Sequence, residues 1–276
     1  MTKTTTVGAL VLCLAAAPLA AQGVAEISID GDTVTAEIEL VSGLGADLTI
    51  SFENVVGLCA SCLGLSAEAI SPTDPGLLNR FPDPQLVSVP GAFPVLLQIE
   101  PAISSPLAFS GVVSLELHTH DLSYTPYSPL RLFAADAGGT FYDITSSSGA
   151  GSYRVGASKG GFSEFLIVAD LRPVNEVLLA KFDALQQVLD DNLELVESSL
   201  AADLQAHLDD AWSWYELGDL AQASSAIDDL ADLAKAKSGE DLPDTWRASR
   251  DLINVAGLLR QAAATLRYSL NLAASS

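Results

Sequence analysis

Two short stretches hold residues whose types and spacing could do chemistry. In "GLCASCLGL", Cys59 and Cys62 stand three apart, the spacing of a dithiol redox site or of half a zinc site. A thioredoxin-like dithiol needs its CxxC at the start of a helix that follows a strand, where the helix dipole lowers the thiolate pKa. Here the motif falls between "LTISFENVVG" and a proline-rich segment, with no βαβ pattern and no tryptophan ahead of Cys59. A zinc site would require two further ligands, and no second CxxC exists. The expectation is a structural disulfide between Cys59 and Cys62, closing a short loop with modest stabilisation.

The second stretch is "ELHTHD". On a strand, Glu116, His118 and His120 share one face, opposite Leu115 and Leu117. His-x-His beside a carboxylate is a metal-ligand spacing, because alternate strand residues converge on a single ion. The competing reading is the polar outer face of an ordinary strand. The expectation is that polar face and no cofactor; the alternative is a metal-dependent enzyme using Glu116, His118 and His120, or a redox enzyme using Cys59 and Cys62. His207 flanks an apolar helical stripe and reads as a boundary residue. The pairs Asp190-Asp191, Asp209-Asp210 and Asp228-Asp229 lie within helical patterns and lack a calcium-loop signature, so they read as solvated faces. There is no G-x-S-x-G, Walker loop or G-x-G-x-x-G.

The N-terminus indicates the compartment. Lys3 precedes the apolar run "VGALVLCLAAAPLAAQ", which ends in small residues, the layout of a secretory signal peptide spanning residues 1–21. Cys13 lies within that run and is expected to leave with it. The two remaining cysteines then meet an oxidising compartment, periplasmic or extracellular, which favours the disulfide. No later stretch supplies the continuous apolar residues of a membrane span. Net charge is −22. Residues 22–175 carry 17 acidic and 5 basic side chains, and residues 176–276 carry 18 and 7. An acid excess spread over the whole chain repels nucleic acid and anionic lipid, whose phosphates need clustered Lys and Arg.

These residues must be positioned by two kinds of element. From 22 to 173 the period is two. "AEISIDGDTVTAEIEL" places Ile27, Ile29, Val34, Ala36, Ile38 and Leu40 on one side around a Gly31-Asp32 turn, which predicts a hairpin. "ADLTISFENV", "VVSLELHTH", "LRLFAAD", "TFYDIT", "YRVGAS" and "EFLIVAD" continue the pattern between turn residues and predict an antiparallel sandwich. Residues 71–106 hold eight of the thirteen prolines. They predict loops and edge segments wrapped over the sandwich, with "FPVLLQIEP" as a strand among them. From 174 to 276 the period becomes 3.6, and four helices are expected in an up-and-down bundle. The first carries Leu178, Phe182, Leu185, Leu189 and Val196; the second Leu204, Leu208, Ala211 and Tyr215; the third Leu220, Ala223, Ile227, Leu230 and Ala234; the fourth Leu252, Val255, Leu259, Leu266 and Leu270. Gly218 and Asp219 stop and restart the chain. Trp212, Tyr215 and Trp246 are expected in the bundle core, and Trp214 in an exposed patch. The fold class is thus α+β, in two domains.

Two resemblances refine this expectation. "PLRLFAADAGGTFYDITSSSGAGSYRVGASKGGFSEFLIV" resembles the closing strands of ZU5-like bacterial sandwich modules. Some of these cleave their own chain at His-Phe-Ser. Phe162-Ser163 match that motif, but Gly161 stands where the histidine would be, so the self-cleavage that the resemblance implies is not the expectation here. "LQAHLDDAWSWYELGDLAQASSAIDDLADLAKAKSG" is similar to the FIMAH-type helical module at the ends of exported prokaryotic proteins, which implies an accessory role. The order of segments resembles an uncharacterised family of secreted bacterial proteins. The functional expectation is a secreted, non-catalytic binding or cell-surface accessory module for an extracytoplasmic protein or glycan. A third reading is a ligand-carrying sandwich whose groove lies under the proline-rich loops.

Overall fold

The computed structural model describes residues 23–275 apart from Val41. The expected signal segment, with Cys13, lies outside the described residues. In chain order the first part comprises β1 (Val24–Asp30), β2 (Thr33–Glu39), β3 (Gly45–Val56), β4 (Leu65–Ala69), the short α1 (Pro75–Leu78), β5 (Val87–Ser88), β6 (Val95–Ile99), β7 (Ala108–Thr119), β8 (Leu130–Ala135), β9 (Tyr142–Asp143), β10 (Ser147–Gly149), β11 (Tyr153–Lys159) and β12 (Glu164–Asp170). The second part comprises α2 (Val174–Asp191), α3 (Ser198–Glu216), α4 (Leu220–Ala236), β13 (Thr245–Arg247) and α5 (Val255–Ala274). The chain is α+β, with two antiparallel sheets followed by helices.

One sheet has the order β1-β2-β3-β7-β11-β10, and the other β4-β6-β12-β8-β9, with β5 also on β12. The β1–β2 hairpin turns at Gly31-Asp32, with Asp30 opposite Thr33. Alternation decides which faces meet. Val34, Ala36, Leu48, Ile50, Leu115 and Leu117 of the first sheet pack against Leu97, Ile99, Leu132, Ala134, Phe165 and Ile167 of the second in one buried cluster. Tyr153 is fully buried between the sheets, and its hydroxyl donates to the Leu130 carbonyl at 2.7 Å. Burial pushes that phenol's pKa up, so it stays a neutral donor.

The second sheet is apolar on both faces, which is why β12 reads as the unbroken run "FLIV". Its outer side, with Leu96, Phe133, Leu166 and Val168, is covered by Phe81, Val87 and Val89 of the proline-rich segment and by Phe141. That segment wraps the sandwich as expected, and its one longer strand is β6. The physical reason is that prolines cannot donate to a ladder, whereas apolar side chains between them can still cover a sheet.

Three expectations about the helical half are corrected. The first helix ends at Asp191, where Asn192 turns back to donate from Nδ2 to the Val188 carbonyl at 2.7 Å. Val196 reaches the helical core from beyond that turn. The fourth helix starts at Val255, and Leu252, 42 % exposed, lies outside it. Trp246 belongs to β13, which pairs with Ala108–Ser110 of β7. Its ring stacks on Phe109 at 5.3 Å and meets Phe162 edge-on at 5.2 Å, so it packs in the sandwich rather than among the helices. Trp212 and Tyr215 do pack in the helical core, against Phe182. Trp214 is 40 % exposed. Gly218 ends α3 with a positive φ, and the Asp219 carboxylate caps α4 by accepting from Gln222 N.

The helices are bound to the sandwich by more than β13. Asn254 is buried and serves both sides: its Oδ1 accepts from Gly257 N at 2.7 Å and caps α5, while Nδ2 donates to the carbonyls of Gly111 at 2.6 Å and Gly160 at 3.2 Å. Which amide atom is which follows from the chemistry, since an N–H needs the oxygen and carbonyls need the nitrogen. Gly160 has backbone against its Cα: a β-carbon there would press into Gly257. Arg260 of α5 grips Glu53 of β3 with two bonds of 2.7 and 2.6 Å. Hydrogen bonding to Arg260 holds the Glu53 carboxyl below its ordinary pKa despite partial burial.

Candidate functional site

Cys59 and Cys62 are joined by a disulfide, with Cα atoms 5.0 Å apart. They bracket a single 3-10 turn, in which Cys62 N donates to the Cys59 carbonyl at 2.9 Å. The turn links β3 to β4 across the two sheets and opens no long helix, so the placement is that of a staple. Gly64 follows with positive φ, and its Cα abuts the Glu100 carbonyl so closely that a side chain has no room.

The "ELHTHD" face is built by β7 and its neighbours on either side. Register pairs His118 with Asp47 of β3 and with Arg154 of β11, and pairs Glu116 with Thr49. Glu116 is taken by Arg154, at 3.0 Å. His118 Nδ1 instead faces the Asp47 carboxylate at 3.4 Å, and the His118 and His120 rings meet edge-on at 4.5 Å. One nitrogen atom of each histidine and a carboxylate oxygen of Asp47 lie within 4.8 Å of one another. Thus the face brings His118 and His120 together with Asp47, while Glu116 is engaged elsewhere. Asp47 was not singled out in the sequence; the signal for it was the β3–β7 register, which no single strand reveals.

Phe162 and Ser163 leave the β11–β12 turn and enter the sandwich. Phe162 packs on Phe52, Phe109 and Trp246. Ser163 is buried, and a side chain at Gly161 would meet the Trp246 ring. His207 is half-buried on α3, and Asp228 of the helical acid pairs is held by Arg267 at 2.7 Å.

A cleft of about 600 Å³ lies where α2 and α5 cross the β8–β9 end of the second sheet. Its apolar wall is Phe141, Val177, Ala184, Val188, Leu258 and Ala262, and Pro82 of the proline-rich segment forms part of its edge. Lys181 and Asp143 lie at the bottom as a buried pair 2.6 Å apart. Lys181 Nζ also donates to Thr265 Oγ1 at 2.7 Å, Ser269 Oγ at 2.8 Å and the Thr265 carbonyl at 3.1 Å. Asp143 Oδ1 accepts from Thr145 N at 2.8 Å, whereas no well-aligned hydrogen bond reaches Oδ2 among the described residues. Oδ2 therefore depends on the ammonium beside it.

Burial alone would push the Asp143 carboxyl up, but Lys181 and Thr145 outweigh it and hold the pKa below the ordinary carboxylate value. Burial also pulls the Lys181 pKa down, with Asp143 opposing. These two tendencies pull the pair in different directions. We take it as ionised at neutral pH, because four acceptors crowd Nζ and a neutral amine has only two hydrogens to give. The sequence signal for this pair is the position of Lys181 inside the apolar stripe of α2, three residues from Leu178 and four from Leu185.

A family model of unknown function, DUF6689, matches residues 9–274, nearly the whole chain. The chain belongs to that family. No curated protein matches the sequence. In this member of DUF6689, no helix among the described residues is long and apolar enough to cross a membrane.

Proposed function

We propose that the protein is an exported, non-catalytic binding module whose ligand seat is the cleft between the sandwich and α2–α5, and that the ligand is a small apolar chain or ring. The observation that carries this reading is the cleft itself. It has the volume of a ligand pocket, apolar walls contributed by both halves, and polar groups already committed to one another. A bound molecule would find surface to desolvate but few free hydrogen-bonding groups, which selects for apolar chemistry.

Export is supported by the apolar run after Lys3 and by a disulfide of the kind that persists outside the cytosol, in the periplasm or beyond the cell. The strand-built half is read as ZU5-like and the helices as a FIMAH-like accessory module in up-and-down arrangement, on the motifs quoted above. An extracytoplasmic protein or glycan is the partner class for the acidic outer surface. A metal-dependent activity keeps one supporting observation, the convergence of Asp47, His118 and His120; a redox activity of the Cys59–Cys62 pair has none.

The test is titration with the uncharged fluorescent probe N-phenyl-1-naphthylamine. Wild-type protein is expected to bind one equivalent with a blue-shifted emission. Ala184→Phe, which places a ring in the cleft from an exposed position of α2, is expected to weaken binding at least tenfold without lowering Tm. Equal binding by both proteins would remove the cleft from the account.

A further inference from the structure

We propose that Asp47, His118 and His120 form a binding site for one divalent first-row transition-metal ion, with Zn²⁺ as the probe. The argument starts from a hydrogen bond. His118 Nε2 lies 2.9 Å from the Gly151 carbonyl. A carbonyl only accepts, so Nε2 carries the hydrogen, and in the neutral ring Nδ1 is left with a lone pair. That lone pair faces Asp47 Oδ2 at 3.4 Å. Two acceptors pointed at each other repel unless a proton or a metal ion lies between them, and the nearby His120 nitrogen favours the metal.

The separation suits a metal. Zinc bonds of about 2.0–2.2 Å to nitrogen and oxygen place tetrahedral ligands about 3.4 Å apart. His120 supplies the third donor. Its Nδ1 lies 3.0 Å from Ser152 Oγ, which leaves Nε2 for the ion. One nitrogen of each histidine and an Asp47 oxygen already lie within 4.8 Å of one another, and the exposed His120 ring, beyond the end of β7, is free to turn Nε2 toward the ion.

Each histidine thus has its second nitrogen engaged by a neighbouring group, as ligating imidazoles commonly do. Both partners come from one strained turn: Gly151 and Ser152 adopt positive φ, 94° and 66°, and Ser152 does so without being glycine. Held in that conformation, the turn aims a carbonyl and a hydroxyl at the two rings. Imidazole and carboxylate donors favour zinc, nickel or copper over calcium or magnesium. Asp47 is 65 % exposed, so a fourth position opens to water or to a donor from a partner. Glu116 is not a ligand, because Arg154 holds it.

The experiment is calorimetric titration of the metal-free full chain with ZnCl₂ in excess Mg²⁺, which saturates the acidic surface. Cobalt substitution read by visible absorption accompanies it. One ion per chain is expected, with a cobalt spectrum of low coordination number. Binding should weaken at least tenfold in Asp47→Asn and in His120→Ala, both exposed positions whose variants are expected to fold, and stay unchanged in Glu116→Gln. Absence of stoichiometric binding, or binding that survives the Asp47→Asn/His120→Ala double variant, would overturn the proposal. The site shares no residue with the apolar cleft, so either result can be told apart from probe binding there.

Discussion

Replacing Asn254 should separate a helix cap from a clasp between α5 and the sandwich. The side chain is 2 % exposed and makes three bonds at once, one to Gly257 N and two to the Gly111 and Gly160 carbonyls. Loss of an N-cap costs about 1 kcal/mol. Leaving a buried carbonyl without this donor costs about 1–3 kcal/mol each, less whatever a neighbouring group or an entering water recovers. Asn254→Ala is therefore expected to cost roughly 3–5 kcal/mol, a large share of the 5–15 kcal/mol that holds a typical domain. At about 2–4 °C per kcal/mol for a chain of this size, Tm falls by roughly 10 °C. Asn254→Asp is the decisive variant. Aspartate is as good a cap as asparagine but donates nothing, and it would point a carboxylate at two carbonyl oxygens. Differential scanning calorimetry should rank wild type above Ala and Ala at or above Asp. An Asp variant as stable as wild type would show that only the cap matters and that the clasp reasoning is wrong.

Three further outcomes follow from the same geometry. Gly64→Ala, at a positive φ against the Glu100 carbonyl, should lose about 2–3 kcal/mol in urea unfolding, and a loss below 0.5 kcal/mol would contradict the close approach. Cys59→Ser/Cys62→Ser should cost about 2 kcal/mol, the loop entropy of so short a closure, while leaving probe binding in the cleft intact; loss of binding would tie the staple to the site. The folded Asp143 carboxyl titrates below its unfolded value of about 3.9, so its contribution is complete above that pH and is lost as pH falls through the folded value. Stability measured from pH 6 downward should therefore drop below about pH 4 in wild type, and that acid limb should be shallower in Asp143→Asn; superimposable limbs would refute the assignment.

Much of the architecture was legible because period decides face. "TVTAEIE" alternates cleanly and became a half-buried strand, and Leu178, Phe182, Leu185 and Leu189 recur at helical spacing and became the α2 core. The rest depended on contacts distant in sequence. Three residues around Trp246 are too few for a periodic signal, and their strand character comes from β7 offering them an open edge where β11 has ended. Leu252 fits a helical stripe, but Asn254 two residues later is held by the sandwich carbonyls and fixes the helix start beyond it. On the outer face of β7, the strand pattern put His118 and His120 side by side, and their rings do meet. It could not tell that Glu116 faces Arg154 while Asp47 arrives from the neighbouring strand. The cleft was the least visible, since its walls come from α2, α5 and the turn around Phe141, which only packing brings together.

As proposed above, the cleft over Lys181 and Asp143 holds an apolar ligand. Native mass spectrometry of the purified protein, followed by organic extraction, tests this most directly. The account predicts one apolar molecule per chain in the wild type and none in Ala184→Phe. A wild-type chain that carries nothing extractable and binds no uncharged apolar probe would contradict it.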